Sequence, residues 1–472
     1  MQWKGIMMTT EATVKKSRAE LSDERNKNRF PNQIKYIVSN EACERYSFYG
    51  MRSILTIFMV QYLLFTETHA TEVYHLFVAC AYLTPLMGGY ISDRFWGKYK
   101  TIITLSIVYC LGHLVLAIWE NQMGLYWGLG LIALGAGGIK PCVSAHVGDQ
   151  FTQSNKHLIK KVFDLFYWLI NFGSFFSTMI TPWVLANYGP GWAFGIPGIL
   201  MAIATFIFWL GRSKYVHVPP TGKNPHSTTK VIWSAMKNKS SNAKDFLDRA
   251  LKDHPADAVE AVRAVFGIAK IFVGIIMFWA LFDQHGSTWI LQAREMDLTF
   301  MGIEFLPSQI AALNPIMVML LIPIFSFFVF PTIEKMGIKV TPLRKMSVGM
   351  VITGLSFVQV GIFQYLLDSG VQLNIGWHFF PYITITIAEL LVSITGLEFA
   401  YTQAPRSMRS TIMSMFFLTI FLGNMLTAMI AKVNVFEGGN FFMFFGGLTM
   451  LWACMFIWFA KRYQMRDYVE KG

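Results

Sequence analysis

The feature that most constrains this chain is a series of apolar runs, each long enough to cross ~30 Å of hydrocarbon at ~1.5 Å per helical residue. Twelve occur, at 35–63, 72–92, 101–119, 124–147, 162–187, 191–211, 264–291, 308–331, 343–366, 379–404, 410–432 and 440–460. Composition agrees, since 14% of the 472 residues are charged and 54% hydrophobic, against roughly 25% charged in soluble domains. A water-soluble fold would lack polar surface. The expected fold is an all-α polytopic membrane protein with twelve transmembrane helices.

The net charge of +12 is read by position. Most Lys and Arg fall in the two tails and in the alternate loops 93–100, 148–161, 212–263, 332–345 and 405–409, whereas the opposite loops hold only Arg294. By the positive-inside rule both termini are expected in the cytoplasm, in a plasma (inner) membrane. The basic excess then reports topology and not a nucleic-acid partner. The five cysteines, Cys43, Cys80, Cys110, Cys142 and Cys454, sit in apolar stretches without metal-ligand spacing, so free thiols are expected and no metal site. The polar first thirty residues do not read as a secretory signal peptide.

The expected organisation is a tail (1–34), a six-helix bundle (35–211), a basic linker (212–263), a second six-helix bundle (264–460) and a tail (461–472). Within the linker, Asn242 to Lys252 and Pro255 to Val265 have helical apolar spacing. Six plus six helices around a basic central loop is the layout of a major-facilitator carrier, with its substrate at the midplane between the halves. The first, fourth, seventh and tenth helices should line that cavity.

Charges in hydrocarbon cost several kcal/mol and mark functional positions. They concentrate in those four helices: Glu41, Glu44, Arg45 and Arg52 in the first, Lys140 in the fourth, Asp283 in the seventh, Glu389 and Glu398 in the tenth. Counting ~1.5 Å per residue places Lys140 and Glu398 toward the cytoplasm, and Arg52 and Asp283 toward the exterior. Two latches between the halves are therefore expected, Arg52 with Asp283 outside and Lys140 with Glu398 inside, alternating as the bundles rock. On the first helix Glu41, Glu44, Arg45, Tyr49 and Arg52 share one stripe, with Glu41 four residues before Arg45. A desolvated carboxylate favours its protonated form and a neighbouring guanidinium its ionised one. Drawing the cation toward a substrate carboxylate would thus let the glutamate take a proton.

At this stripe the chain resembles the proton-coupled oligopeptide transporter family, whose first helix carries Glu-x-x-Glu-Arg and an aromatic segment, here Glu41 to Arg45 followed by Tyr46, Phe48, Tyr49 and Gly50. Further islands run in family order: Gly88-Gly89 to Asp93-Arg94 and Gly97-Lys98, Gly138-Ile-Lys140-Pro141, Phe166-Tyr167 to Asn171 and Ser174, Phe278-Trp279 to Asp283-Gln284 with Trp289, and Glu398 to Ala404-Pro405. The resemblance implies symport of di- and tripeptides with protons, with no cofactor, by a functional monomer. It implies that Arg45, Lys140 and Asn171 face the peptide carboxylate, and that Asn314 and Glu398 face its amino terminus. Tyr49, Tyr82 and Trp289 would line side-chain pockets, with Arg52 also in the site. His75 matches a histidine that animal members are thought to use in proton handling, alongside Glu41, Glu44, Asp283 and Glu398. Asp93 and Arg94, with Lys98, resemble the facilitator loop that holds the cytoplasmic ends together.

Some features depart from the family. The linker has no room for the two extra helices of many bacterial members, 367–378 none for the large extracellular domain of animal ones, and Phe416 stands where a tryptophan is common. The glycines 128, 130, 135, 137 and 138 sit in an apolar helix and suit close packing, not phosphate binding. Two other functions stay open: uptake of another small anion such as nitrate, and a non-transporting peptide sensor. No nucleophile, base and oxyanion arrangement points to an enzyme.

Overall fold

The computed structural model describes residues 29–463 and 465, apart from 153–154, 221–224, 239–244, 404, 406–407 and 435. Most of both tails, and Ala404 of the tenth-helix motif, lie outside the described residues. The first half comprises α1 (Ile34–Ile57) with a π-helical turn Phe58–Tyr62, α2 (Glu67–Ile91) with a π-helical turn Ser92–Trp96, α3 (Gly97–Ile118), α4 (Gln122–Asp149) and α5 (Ile159–Leu210). The linker carries α6 (Thr228–Lys237).

The second half begins with α7 (Ala256–Phe282), a 3₁₀ turn Asp283–Gly286 and α8 (Thr288–Arg294). A two-stranded hairpin, β1 (Thr299–Phe300) and β2 (Ile303–Glu304), leads to α9 (Leu313–Ile324) and α10 (Phe330–Lys335), then α11 (Pro342–Asp368). α12 (Phe379–Glu389) passes through a π-helical turn Leu390–Ile394 into α13 (Thr395–Thr402), and α14 (Arg409–Val433) and α15 (Gly439–Arg462) complete the half.

Among the described residues, nine helical stretches are long and apolar enough to cross a bilayer. Two of them, Glu67–Ile118 and Ile159–Leu210, are 52 residues each, about 78 Å of helix and more than twice the hydrocarbon thickness. Each doubles back: one at the turn ending in Gly97 (φ 73°), the other at Gly189 (φ 81°), a left-handed conformation that glycine adopts without steric cost. Ile34–Tyr62 also crosses, although its charges keep its hydropathy low. Twelve crossings result, at the positions expected from the apolar runs.

Local sequence sets several starts. Thr66, Asn121 and Thr341 accept hydrogen bonds from the backbone N–H of His69, Gly124 and Arg344, capping α2, α4 and α11. Exposed tryptophans collect at both ends of the helices, Trp119, Trp183 and Trp192 at one and Trp209, Trp233 and Trp458 at the other, as at the two headgroup levels of a membrane protein. The two halves have separate apolar cores, one built around Phe48, Tyr74, Tyr109 and Phe194, the other around Phe278, Trp289, Phe357 and Phe445. Where α2 crosses α4, a Cβ on Gly88 would lie 2.1 Å from the Gly138 carbonyl oxygen, so only glycine permits this approach. α2 packs along α14, and α5 meets α9, across the interface between halves.

The linker differs from expectation. Asn242 to Lys244 lie outside the described residues, and Leu247–Lys252 forms a 3₁₀ turn. Pro255 to Val265 is no separate element but the start of α7. The independent linker helix is α6, whose Val231 and Ala235 join Leu247, Ala250, Val259 and Val262 in the core of the second half. The linker is thus docked on the second half, because its apolar stripe has a partner at the base of α7.

Candidate functional site

Between the halves lies a cavity of about 250 Å³. The first half lines it with Tyr49, Arg52, Tyr82, Tyr167 and Asn171, and the second with Trp279, Asp283, Asn314, Glu389 and Phe416. These residues come from α1, α2, α5, α7, α9, α12 and α14, so only the assembled interface creates the site. Asn314 Nδ2 donates to Glu389 Oε2 at 2.8 Å and to Thr386 Oγ1 at 3.2 Å, fixing the carboxylate against the wall. Glu389 has no ion pair among the described residues. Lys140 does not itself line the cavity: its Nζ sits 4.2 Å from the ring centroid of the cavity residue Tyr82 and 4.5 Å from that of Phe48, within electrostatic reach of Glu44 and Glu41. Such cation–π contacts offset part of the ammonium's desolvation.

One end of the cavity is closed; it is the end whose loops are poor in Lys and Arg. Arg52 Nη2 donates to Asp283 Oδ1 at 2.6 Å, and Arg52 Nε to Tyr74 Oη at 2.6 Å. Asp283 Oδ2 accepts from Asn424 Nδ2 at 2.7 Å, and Asn424 Oδ1 meets His75 Nδ1 at 2.7 Å. Because the Asn424 amide nitrogen is committed to Asp283 and the Ile420 carbonyl, its oxygen accepts, which puts the imidazole proton on Nδ1. His75 Nε2 then accepts from Ser287 Oγ, 2.9 Å away. Thr56 Oγ1 donates to the Gly286 carbonyl at 3.0 Å, Arg294 pairs with Glu67, and Gln309 Nε2 donates to the Met179 carbonyl at 2.8 Å. These last three, with Arg52–Asp283, His75–Asn424 and His75–Ser287, join one half to the other.

Toward the Lys-rich end, Arg45 Nε lies 2.7 Å from Glu41 Oε1 and 3.0 Å from Glu44 Oε2, one guanidinium shared by two carboxylates. This trio lies outside the enclosed cavity. Among the described residues, Asp93 and Arg94 make no ion pair or hydrogen bond with the second half: Arg94 stacks on Tyr90 and Phe95 of its own segment, and Lys98 bridges to Asp149 at 2.6 Å within the first half.

The sequence profile described as PTR2, POT family, matches residues 99–437. The chain belongs to the POT family. Two solved family structures resemble it along nearly its whole length. The POT family transporter PepTSo is 44% identical with a TM-score of 0.89, covering 93% of this chain and 99% of its own. An auto-inhibited POT family peptide transporter is 40% identical with a TM-score of 0.88, covering 94% and 99%. Peptide transporter 3 of Caenorhabditis elegans is 40% identical over 365 residues, 73% of this chain and 52% of its own length. The chain spans about half the length of the curated relatives it matches.

Against this POT framework three sequence assignments are corrected. Glu398 is not in the cavity and does not meet Lys140; its exposed carboxylate lies 3.6 Å from Lys345 Nζ. It stands nineteen residues past Phe379, nearly a full membrane thickness into the crossing, whereas Glu389 stands at mid-depth. The carboxylate in the tenth crossing that faces the cavity is therefore Glu389, and depth counting could have found it. Trp289 is fully buried in the second half against Phe357, Tyr382 and His378, and Trp279 is the tryptophan at the cavity. The break at Asp283–Gly286 explains the difference, because Trp289 lies beyond it on α8. Asn424, a polar residue in an apolar helix, was missed although that setting alone is a signal.

Proposed function

We propose that this POT protein is a proton-coupled symporter that imports di- and tripeptides by alternating access of the central cavity. The observation that carries the reading is a pair of opposite charges, Glu389 lining the cavity from the second half and Lys140 against the cavity residue Tyr82 in the first. Glu389 is costly in a low-dielectric setting without a counter-ion, and a zwitterion brings it an ammonium while offering Lys140 a carboxylate. The peptide ammonium binds Glu389 beside Asn314, and its carboxylate is drawn to Lys140 past Tyr82, with Asn171 adding a donor. Tyr49, Tyr167, Trp279 and Phe416 supply apolar and aromatic surface for side chains. A bare anion meets repulsion at Glu389, which weighs against nitrate.

The Arg45 cluster supports the coupling. When the peptide carboxylate draws the guanidinium away, Glu44 or Glu41 loses its counter-charge and takes a proton. Asp283 and His75 act at the other end, where protonation of the carboxylate weakens the Arg52 latch and opens the closed side. The halves 35–211 and 264–460 rock about the docked linker, with both termini in the cytoplasm of a plasma membrane and the monomer as the working unit. The test is uptake of labelled dialanine into proteoliposomes under an inward proton gradient and a negative interior. Accumulation above the external concentration is expected; no accumulation under either driving force overturns the proposal.

A further inference from the structure

Behind Glu44, away from the peptide cavity, two polar stripes face each other inside the first half. On α1, Asn40, Glu44 and Ser47 fall at i, i+4 and i+7; on α3, Ser106, Tyr109 and His113 fall at i, i+3 and i+7. Both spacings place three side chains on one helix face. All six residues are at most 1% exposed. Ser47 Oγ lies 2.9 Å from His113 Nε2, locking the stripes in register at one end, and the Tyr109 ring stacks on that of His113 with centroids 5.1 Å apart. The Tyr109 hydroxyl faces Ser47, with Glu44 in electrostatic reach.

The seam is rich in unsatisfied groups. Among the described residues, both amide atoms of Asn40, Glu44 Oε1 and Ser106 Oγ are buried without a hydrogen-bond partner, and Glu44 Oε2 meets only Arg45 Nε. Buried polar groups are almost always satisfied, by protein or by ordered water making two to four bonds. Orphans clustered this densely, on facing stripes, mark a place where water belongs. Ile37 and Ile102, both fully buried, lie about one turn closer to the Lys-rich end on the same two helices.

We propose that these two stripes form a hydrated polar seam that holds the second face of the Glu44 carboxyl in both of its protonation states, with Tyr109, Ser47 and His113 as positioning residues. This deepens the proposed symport and rests on it. When Glu44 is ionised, Tyr109 and seam water donate to it. When it is protonated, its O–H donates into the seam and the hydroxyls turn, Ser47 donating to His113 Nε2. Proton uptake breaks one O–H bond on the delivering water and forms one on Glu44; no other group in the seam changes charge. The charged and titratable groups bearing on Glu44 are Arg45, Glu41 and Tyr49 from its own helix, Lys140 from α4 and Tyr109 from α3. α5 packs on α1 through uncharged Ser177 and Thr181 opposite Gly50.

The test uses the full chain in liposomes and reads three quantities: the pH midpoint of proton-driven dialanine uptake, peptide counterflow without a gradient, and the infrared carboxylic C=O band that is lost in Glu44→Gln. Tyr109→Phe and His113→Leu remove donors or their anchor, so the midpoint is expected to move about one pH unit to the alkaline side. The C=O band should shift in both variants while counterflow stays within about twofold, since each pH unit is a tenfold change in proton affinity and peptide contacts are untouched. His113→Gln, which keeps a bond to Ser47, should restore the wild-type midpoint. An unmoved midpoint and band in both donor-removing variants, or His113→Gln as impaired as His113→Leu, overturns the seam. Should His113→Leu not fold, Tyr109→Phe and the band decide alone. Wild-type protein without proton-driven uptake would instead overturn the symport reading itself.

Discussion

The residue that sets what this protein recognises is Glu389, a half-buried carboxylate held by Asn314 and left without a cation. A charge-assisted bond to a peptide ammonium is worth about 2–3 kcal/mol, so Glu389→Gln should weaken dialanine binding roughly 30- to 150-fold. N-acetyl-dialanine should bind the native protein as poorly and lose nothing further in the variant; a competition assay on both proteins checks this. At the closed end, Asp283→Asn leaves Arg52 without its counter-charge, at a cost of about 3–5 kcal/mol. The closed state should then be depleted, read as faster labelling of a cysteine placed at Ser53 by a membrane-impermeant maleimide. The charges of α1, α4 and α7 were legible in the sequence because ions are rare in hydrocarbon. The choice between Glu389 and Glu398 was not read correctly, because a motif match was set above depth.

At the scale of elements, two devices carry predictions. Gly189 allows α5 to cross the membrane twice, and Gly189→Val, forcing a β-branched residue to φ near 81°, should cost at least about 1–2 kcal/mol. A lower thermal midpoint in detergent would register it. The docked helix α6 is tied by Asp253, which accepts from Ser234 Oγ at 2.7 Å and Asn238 Nδ2 at 2.7 Å. Those two bonds hold the Asp253 carboxyl below its usual range. A lowered folded-state value means that this stabilisation is present above the unfolded value of about 3.8 and fades as pH falls through the folded one. Hydrogen exchange over Thr228–Lys237 should therefore accelerate below pH 4, and in Asp253→Asn at neutral pH. The crossings were legible because each is a long apolar run, but α6 is short and its stripe of Val231 and Ala235 acquires meaning only against the base of α7. The 3₁₀ turn at Asp283–Gly286 was likewise hidden, since nothing in Phe278 to Trp289 interrupts the apolar pattern strongly enough to announce a break.

For the whole molecule, the bonds between halves gather at the Lys-poor end: Arg52 with Asp283, His75 with Ser287 and Asn424, Thr56 with Gly286, Glu67 with Arg294. Closure at this end is what one of the two states of alternating access requires. Two-half architecture and family were legible from the charge pattern and from motif islands in order; the state of the interface was not, since both states use one sequence. The central claim is that a peptide's two charges and a proton trade partners with Glu389, Lys140 and the Arg45 cluster. It is tested most directly by liposomes loaded with a pH-sensitive dye and given external dialanine with no initial pH difference. The lumen should acidify as peptide enters, and Glu44→Gln should take up peptide by exchange without acidification. Peptide entry by the native protein with the lumen pH unchanged would contradict it.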